Sequence, residues 1–276
     1  MSEFMTTDGR RIYFKESGTG TPLLCLAGLT RNSRDFSFFA PHASGLRMIA
    51  MDYRGRGRSE YDPDFMNYNI FRESHDAIEL LDHLGIAKAV ILGTSRGGLI
   101  AMALAASHSE RLAAVILNDV GPVIEPSGVA KIMAYVGAQP TAKTYDEAAA
   151  ALKHVLEPQF PGVPLKTWRK QAEFQYEMHE DGLKLRYDPA LRKALLEQAA
   201  SGAAPDLWVF FEALRDIPTG VIRGANSDVL GVATLAEMRH RHPGLISVVV
   251  PDRGHVPFLN EPQSLDLIQK VLKNAA

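Results

Sequence analysis

The chain has 276 residues, 46% of them hydrophobic, which is enough to bury a sizeable core as one large domain or as a domain carrying an insertion. Thirty Lys and Arg against 32 Asp and Glu leave a formal net charge of -2, without the basic excess that binding to a phosphate backbone normally uses, so no nucleic-acid partner is expected. No run reaches the roughly 18 apolar residues of a membrane span, and neither the start MSEFMTTDGRR nor the lone Cys25 in PLLCLAG carries a secretion or disulfide signal, which predicts a cytoplasmic protein off the membrane.

Short β-branched and aliphatic runs read as strands over residues 11–16, 23–27, 47–53, 89–93, 113–118, 220–224 and 247–250. Helical spacing lies between the later ones, over 70–84, 95–107, 232–240 and 262–273. This alternation is what crossovers in a mostly parallel sheet require, and continuous apolar runs such as AVILG and AAVIL suit strands covered on both faces. From about residue 122 to 205 no strand is evident, while YDEAAAALKHVL, KTWRKQAEFQYEMHE and PALRKALLEQAAS have helical spacing, with Pro158, Pro161 and Pro164 marking a turn. A structureless loop of that length is improbable in a compact domain, so the segment reads as a helical insertion.

One stretch, VILGTSRGGLIAM, places Ser95 between Gly93 and Gly97. A serine hydroxyl is a weak nucleophile that needs a base and donors for the developing negative charge. A strand turning sharply into a helix would expose its oxygen at the tip, and the flanking glycines remove side chains that would collide with neighbouring backbone; the bland alternative is a tight structural turn. His255, in SVVVPDRGHVPFLNEP, follows the last strand and is the candidate base. His75, His83, His108 and His154 sit on helical patterns as expected surface residues, and His240-x-His242 lacks a third ligand for a metal.

The third partner is a carboxylate that orients the imidazole. Asp228, in VIRGANSDVL, lies just past a strand, and its spacing to His255 accommodates one helix and one strand, so both could emerge at one sheet edge; otherwise it is a helix N-cap. Asp119, in ILNDVGP, is the rival acid or a turn former. The basic loop DYRGRGRS matches neither a dinucleotide fingerprint nor a phosphate loop and reads as a turn whose arginines pair with acids.

With LLCLAGLTRN, MDYRGRGRS, GTSRGG and DRGHVPFLNEP in place, the chain resembles the α/β-hydrolase fold superfamily, of the capped esterase and lactonase type. The resemblance spans about residues 11–121 and 207–273. It implies an α/β architecture with a mostly parallel eight-stranded sheet flanked by helices, a core of residues 1–121 and 207–276, and a helical cap over 122–206. It further implies a catalytic Ser95, Asp228 and His255, and an oxyanion hole from the backbone N–H groups of Leu29 and Arg96. The substrate would be a small ester or lactone, hydrolysed without cofactor or metal. Two departures stand out: Ala27-Gly28 where many relatives have His-Gly, and Arg96 after the serine, whose guanidinium could grip a substrate carboxylate or pair with a structural acid. Trp168, Phe174, Tyr176, Trp208, Phe210 and Phe211 could line a pocket or hold helices to the core. Carbon–carbon bond hydrolases and perhydrolases share the same triad, and a ligand receptor could keep the scaffold without turnover.

Overall fold

A computed structural model describes residues 2–202 and 206–275. Its centre is an eight-stranded sheet made of β1 (Ser2–Met5), β2 (Arg11–Ser17), β3 (Thr21–Leu26), β4 (Leu46–Met51), β5 (Ala89–Thr94), β6 (Leu112–Asn118), β9 (Thr219–Gly224) and β10 (Ile246–Val250). The order is β1-β2-β4-β3-β5-β6-β9-β10. Only β1 and β2 run antiparallel to their neighbours, and every other pairing is parallel. The expected α/β class is therefore what the chain adopts, and the strand absent from the seven apolar runs is the short edge strand β1.

The central strands are buried along their length: every residue of β5 and of β9 is buried. Alternate side chains feed two cores, as the two-residue period of a strand requires. Leu24 and Leu26 of β3 enter one cluster, while Leu23 and Cys25 enter the other. Helices α1 (Ile70–His83), α2 (Arg96–Ser107) and α8 (Val232–Arg241) cover the first face and α9 (Pro262–Asn274) the second. Asn69 caps α1, its side chain accepting from the Arg72 amide at 2.9 Å. The small residues of α2, Gly97, Gly98, Ala101 and Ala105, let it lie close on β5 and β6.

Residues between β6 and β9 form α3 (Pro126–Tyr135), α4 (Tyr145–Leu156), α5 (Leu165–Gln175), β7 (Tyr176–His179), β8 (Gly182–Leu185) and α6 (Leu191–Ala200). The expected helix over YDEAAAALKHVL is α4, with Thr144 accepting from the Glu147 amide. The hairpin corrects the expectation of an all-helical segment: helix α5 stops at Gln175, and the next residues pair antiparallel, His179 opposite Gly182. The alternation Tyr-Glu-Met-His, then the two-residue turn Glu180-Asp181 closed by Gly182, whose φ is +123°, is the hairpin pattern that helical spacing masked. Residues 203–205, near the expected end of the insertion, lie outside the described residues. Among the described residues no helix is long and apolar enough to cross a membrane.

Candidate active site

Ser95, Asp119, Asp228 and His255 all follow the carboxyl ends of parallel strands, β5, β6, β9 and β10 respectively. Leu29 follows β3 in the same way. Open parallel sheets gather ligand-binding loops at this edge.

Ser95 stands between β5 and α2 with φ 52° and ψ -115°, a conformation that an L side chain rarely adopts, that costs on the order of 1–3 kcal/mol and that persists only where its surroundings hold it. They do. The Ser95 amide donates to Asn118 O at 2.9 Å, and its carbonyl accepts from the amides of Gly98 and Leu99 at 2.8 and 3.2 Å. A Cβ at Gly93 would overlap the backbone of Gly97, and one at Gly97 would overlap Leu26 O. The two glycines that frame the serine are thus sites of close backbone approach.

The Ser95 Oγ lies 2.9 Å from His255 Nε2, and His255 Nδ1 lies 2.8 Å from Asp119 Oδ2. Since a carboxylate only accepts, Nδ1 carries the proton, and Nε2 is free to accept from the serine hydroxyl. Asp119 is fully buried; its carboxylate also accepts from the Gly224 amide at 2.8 Å and from Ser227 Oγ at 2.6 Å. The loop bearing His255 is clamped by Glu261, which accepts from Arg253 Nε and the Phe258 amide at 2.9 Å and from Ser264 Oγ at 3.0 Å. A hydroxyl joined to an imidazole that a buried carboxylate fixes in one tautomer can pass its proton to that imidazole.

Asp228 is not part of this chain of bonds, and the expectation that it orients His255 is corrected. Its carboxylate pairs with Lys131 Nζ of α3 at 2.5 Å. Burial opposes its ionisation, but the hydrogen bonds from Lys131 and Gln159 hold its carboxyl below the usual range. The reason is strand order: β6 lies between β5 and β9, so the residue just past β6 is one strand nearer the serine. Asp119 adopts φ 58°, a left-handed conformation that aspartate tolerates better than most residues. Its position directly behind an apolar strand was the available signal.

Around Ser95, the backbone N–H groups of Leu29 and Arg96 have no acceptor among the described residues. Tyr53 Oη donates to Ala27 O at 2.9 Å and Arg56 Nε to Leu29 O at 3.1 Å, so the loop is held from below although it begins Ala27-Gly28. The Arg96 side chain points away into a structural pair: Nε donates to Glu73 at 2.5 Å and Nη2 to Tyr68 O at 3.1 Å. The neighbouring arginines also pair with acids. Arg54, fully buried, meets Asp62 at 2.5 Å, Asp76 at 2.6 Å and Asp8 at 2.9 Å.

A mostly apolar cavity of about 510 Å³ opens above Ser95 and His255, between the strand ends and the segment from α3 to β8. Trp168 and Tyr176 line it. Phe174 instead meets Phe38 edge-on, with ring centroids 5.7 Å apart, and Trp208, Phe210 and Phe211 of α7 (Leu207–Glu212) pack into the main core. His75 pairs with Glu79, His83 stacks on Phe4 at 5.5 Å, and buried His242 bonds Leu214 O at 3.0 Å. The described residues contain no group of three His, Cys, Asp or Glu placed to hold a metal.

A parallel sheet with a serine on a strained strand-to-helix turn and a histidine after the last strand defines the α/β-hydrolase architecture. Residues 21–262 match the family model described as alpha/beta hydrolase fold, and the chain belongs to that family. It is 38% identical to a 3-hydroxybutyrate-oligomer hydrolase of Cupriavidus necator, over 92% of this chain and 88% of the relative. It is 29% identical to a 2-(acetamidomethylene)succinate hydrolase of Mesorhizobium japonicum, over 90% and 85%. The crystal structure of an alpha/beta hydrolase from Novosphingobium aromaticivorans superposes with a TM-score of 0.91 at 37% identity, covering 99% of this chain and 97% of that one.

Proposed function

We propose that the protein is a serine hydrolase of small carboxylic esters, acting through an acyl-enzyme, with residues 122–206 as the cap that shapes its pocket. The observation that carries this reading is the continuous path Ser95 Oγ to His255 Nε2, at 2.9 Å, and His255 Nδ1 to Asp119 Oδ2, at 2.8 Å, at the floor of the cavity. Ser95 attacks the ester carbonyl as His255 takes its proton; His255 then returns that proton to the leaving alcohol. In the second half-reaction His255 removes a proton from water, which attacks the acyl carbon, and then gives that proton to the departing Ser95 Oγ, freeing the acid and restoring the serine hydroxyl. The Leu29 and Arg96 amides hold the oxyanion, where one such donor contributes about 3 kcal/mol to the transition state.

The likeness to a 3-hydroxybutyrate-oligomer hydrolase favours esters of short hydroxy acids, and the cavity's volume suits a dimer or trimer of that size. The lone, buried Cys25 fits a reducing, cytoplasmic setting. The test is hydrolysis of p-nitrophenyl esters, lactones and 3-hydroxybutyrate dimers by the wild type and by Ser95→Ala. Hydrolysis lost in the variant, together with fluorophosphonate labelling of Ser95, is expected; turnover that survives Ser95→Ala refutes the mechanism.

A further inference from the structure

Among the described residues lining the cavity, Arg31 is the only lysine or arginine and Asp35 the only carboxylate. Arg31 Nε donates to Asp35 Oδ2 at 2.6 Å and Nη2 to Asp35 Oδ1 at 2.8 Å, while Nη2 also donates to Gln171 Oε1. These bonds occupy one edge of the guanidinium. Nη1 has no acceptor among the described residues, and the side chain keeps 19% of its exposure.

The location is specific. A Cβ placed on Gly28 would lie 3.2 Å from Arg31 Cγ and 3.9 Å from Ser95 Cβ, so the stem of Arg31 and the serine flank one glycine. The arginine charge also reaches two phenols of the cavity wall. Burial pushes the Tyr135 and Tyr176 hydroxyls up in pKa, and Arg31 acts against that rise in both. A cation in a cavity this apolar, fixed on one edge and open on the other, is a site for an anion that arrives with the substrate.

We infer that Arg31 selects esters bearing a free carboxylate a few bonds from the scissile carbonyl, with the carboxylate bound at Nη1 and Asp35 tempering the arginine's charge. This rests on the hydrolase reading above and names its substrate class. In a dimer of a 3-hydroxy acid the free carboxylate belongs to the leaving alcohol and stands four bonds from the attacked carbon, about 5 Å when extended. Departure of that alcohol releases the carboxylate with it, so the arginine would bind substrate and first product alike and act mainly through KM.

The experiment compares kcat/KM on the 3-hydroxybutyrate dimer and on its methyl ester for the wild type, Arg31→Met and Asp35→Asn. Loss of a charge-assisted hydrogen bond predicts that Arg31→Met lowers the acid-over-ester preference by about 10- to 100-fold, through KM. Asp35→Asn is expected to raise that preference, because it removes the competing anion from the arginine. Equal losses on both substrates in Arg31→Met, or a fall in preference in Asp35→Asn, would overturn the inference and leave the pair structural. Calorimetric titration of the dimer into Ser95→Ala, alone and combined with each change, reads the carboxylate site without turnover. If the wild type hydrolyses neither these substrates nor p-nitrophenyl esters, the hydrolase reading fails; tighter dimer binding with Asp35→Asn and at least tenfold weaker binding with Arg31→Met then still uphold the anion site, and unchanged affinity overturns it.

Discussion

Exchanging Asp119 for asparagine separates the observed arrangement from the one that spacing suggested. The carboxylate accepts three hydrogen bonds at 2.6 to 2.8 Å, from Ser227, Gly224 and His255, with no exposed surface. Asparagine keeps one oxygen for these donors but turns an NH2 group toward the others. Facing the ring, that group forces Nδ1 to accept, which places the ring proton on Nε2 and leaves nothing to take the proton of Ser95. The wrong tautomer in a triad of this kind slows turnover by about 10⁴-fold, or about 5.5 kcal/mol at 1.36 kcal/mol per decade. Asp228→Asn removes a pair whose lysine is 63% exposed, which is worth about 0–1 kcal/mol of stability and nothing in kcat. The assay is kcat on p-nitrophenyl butyrate, with circular dichroism and thermal melting to establish that both variants are folded. A folded Asp119→Asn that retains wild-type kcat, or an Asp228→Asn that loses orders of magnitude, would refute the assignment.

Two further outcomes follow from shifted ionisations. At Asp8 burial raises the pKa, but the hydrogen bonds from Arg54 and Thr6 and the charges of Arg54 and Arg72 outweigh it and lower it from 3.8 to about 2. A folded pKa below the unfolded one contributes stability that is present above about pH 3.8 and lost as pH falls toward 2. With a third of the side chain exposed, the contribution discounts to about 1 kcal/mol. Asp8→Asn should therefore melt below the wild type at pH 7, with a gap that narrows as pH falls from about 4 toward 2; a constant gap contradicts the pairing. Burial also pushes the Cys25 thiol well above its ordinary range, so it stays protonated and inert. Iodoacetamide at pH 8 should modify it only after unfolding, as read by mass spectrometry, and equal rates on native and unfolded protein would refute the burial.

Much of this was legible because parallel strands announce themselves. Residues 89–93 and 113–118 are apolar on both faces, the glycines at 93 and 97 mark a close approach, and His255 stands in turn chemistry after the final strand. What spacing could not supply was the order of strands across the sheet. Asp119 and Asp228 each follow a strand, and only the pairing of β6 between β5 and β9 decides which of them reaches the imidazole. The hairpin β7–β8 was hidden for a different reason: Tyr176 and Met178 extend the apolar spacing of α5, and the Glu180-Asp181 turn that breaks it lies further on. Arg31 gave no signal, since its meaning depends on Gly28 bringing its stem beside a residue 64 positions away.

Arg96, the departure from the family pattern beside the serine, acquires a physical role from its partners. Its guanidinium bonds Glu73, and Glu73 stands 2.8 Å from Arg56 Nη1, off the hydrogen-bond direction. Arg56 in turn holds the Leu29 carbonyl at 3.1 Å. The two residues whose amides we propose as the oxyanion hole, Leu29 and Arg96, are thus tied to each other through one buried chain of charges. Breaking such a chain by removing one member strands a buried charge and costs about 3–5 kcal/mol, so the loop after β3 and the start of α2 are expected to hold their separation together. Ser95 keeps its strained backbone between them, and on the proposed mechanism the side chain of Arg96, held by Glu73 and Tyr68 O, would serve the site by fixing where the backbone amides stand.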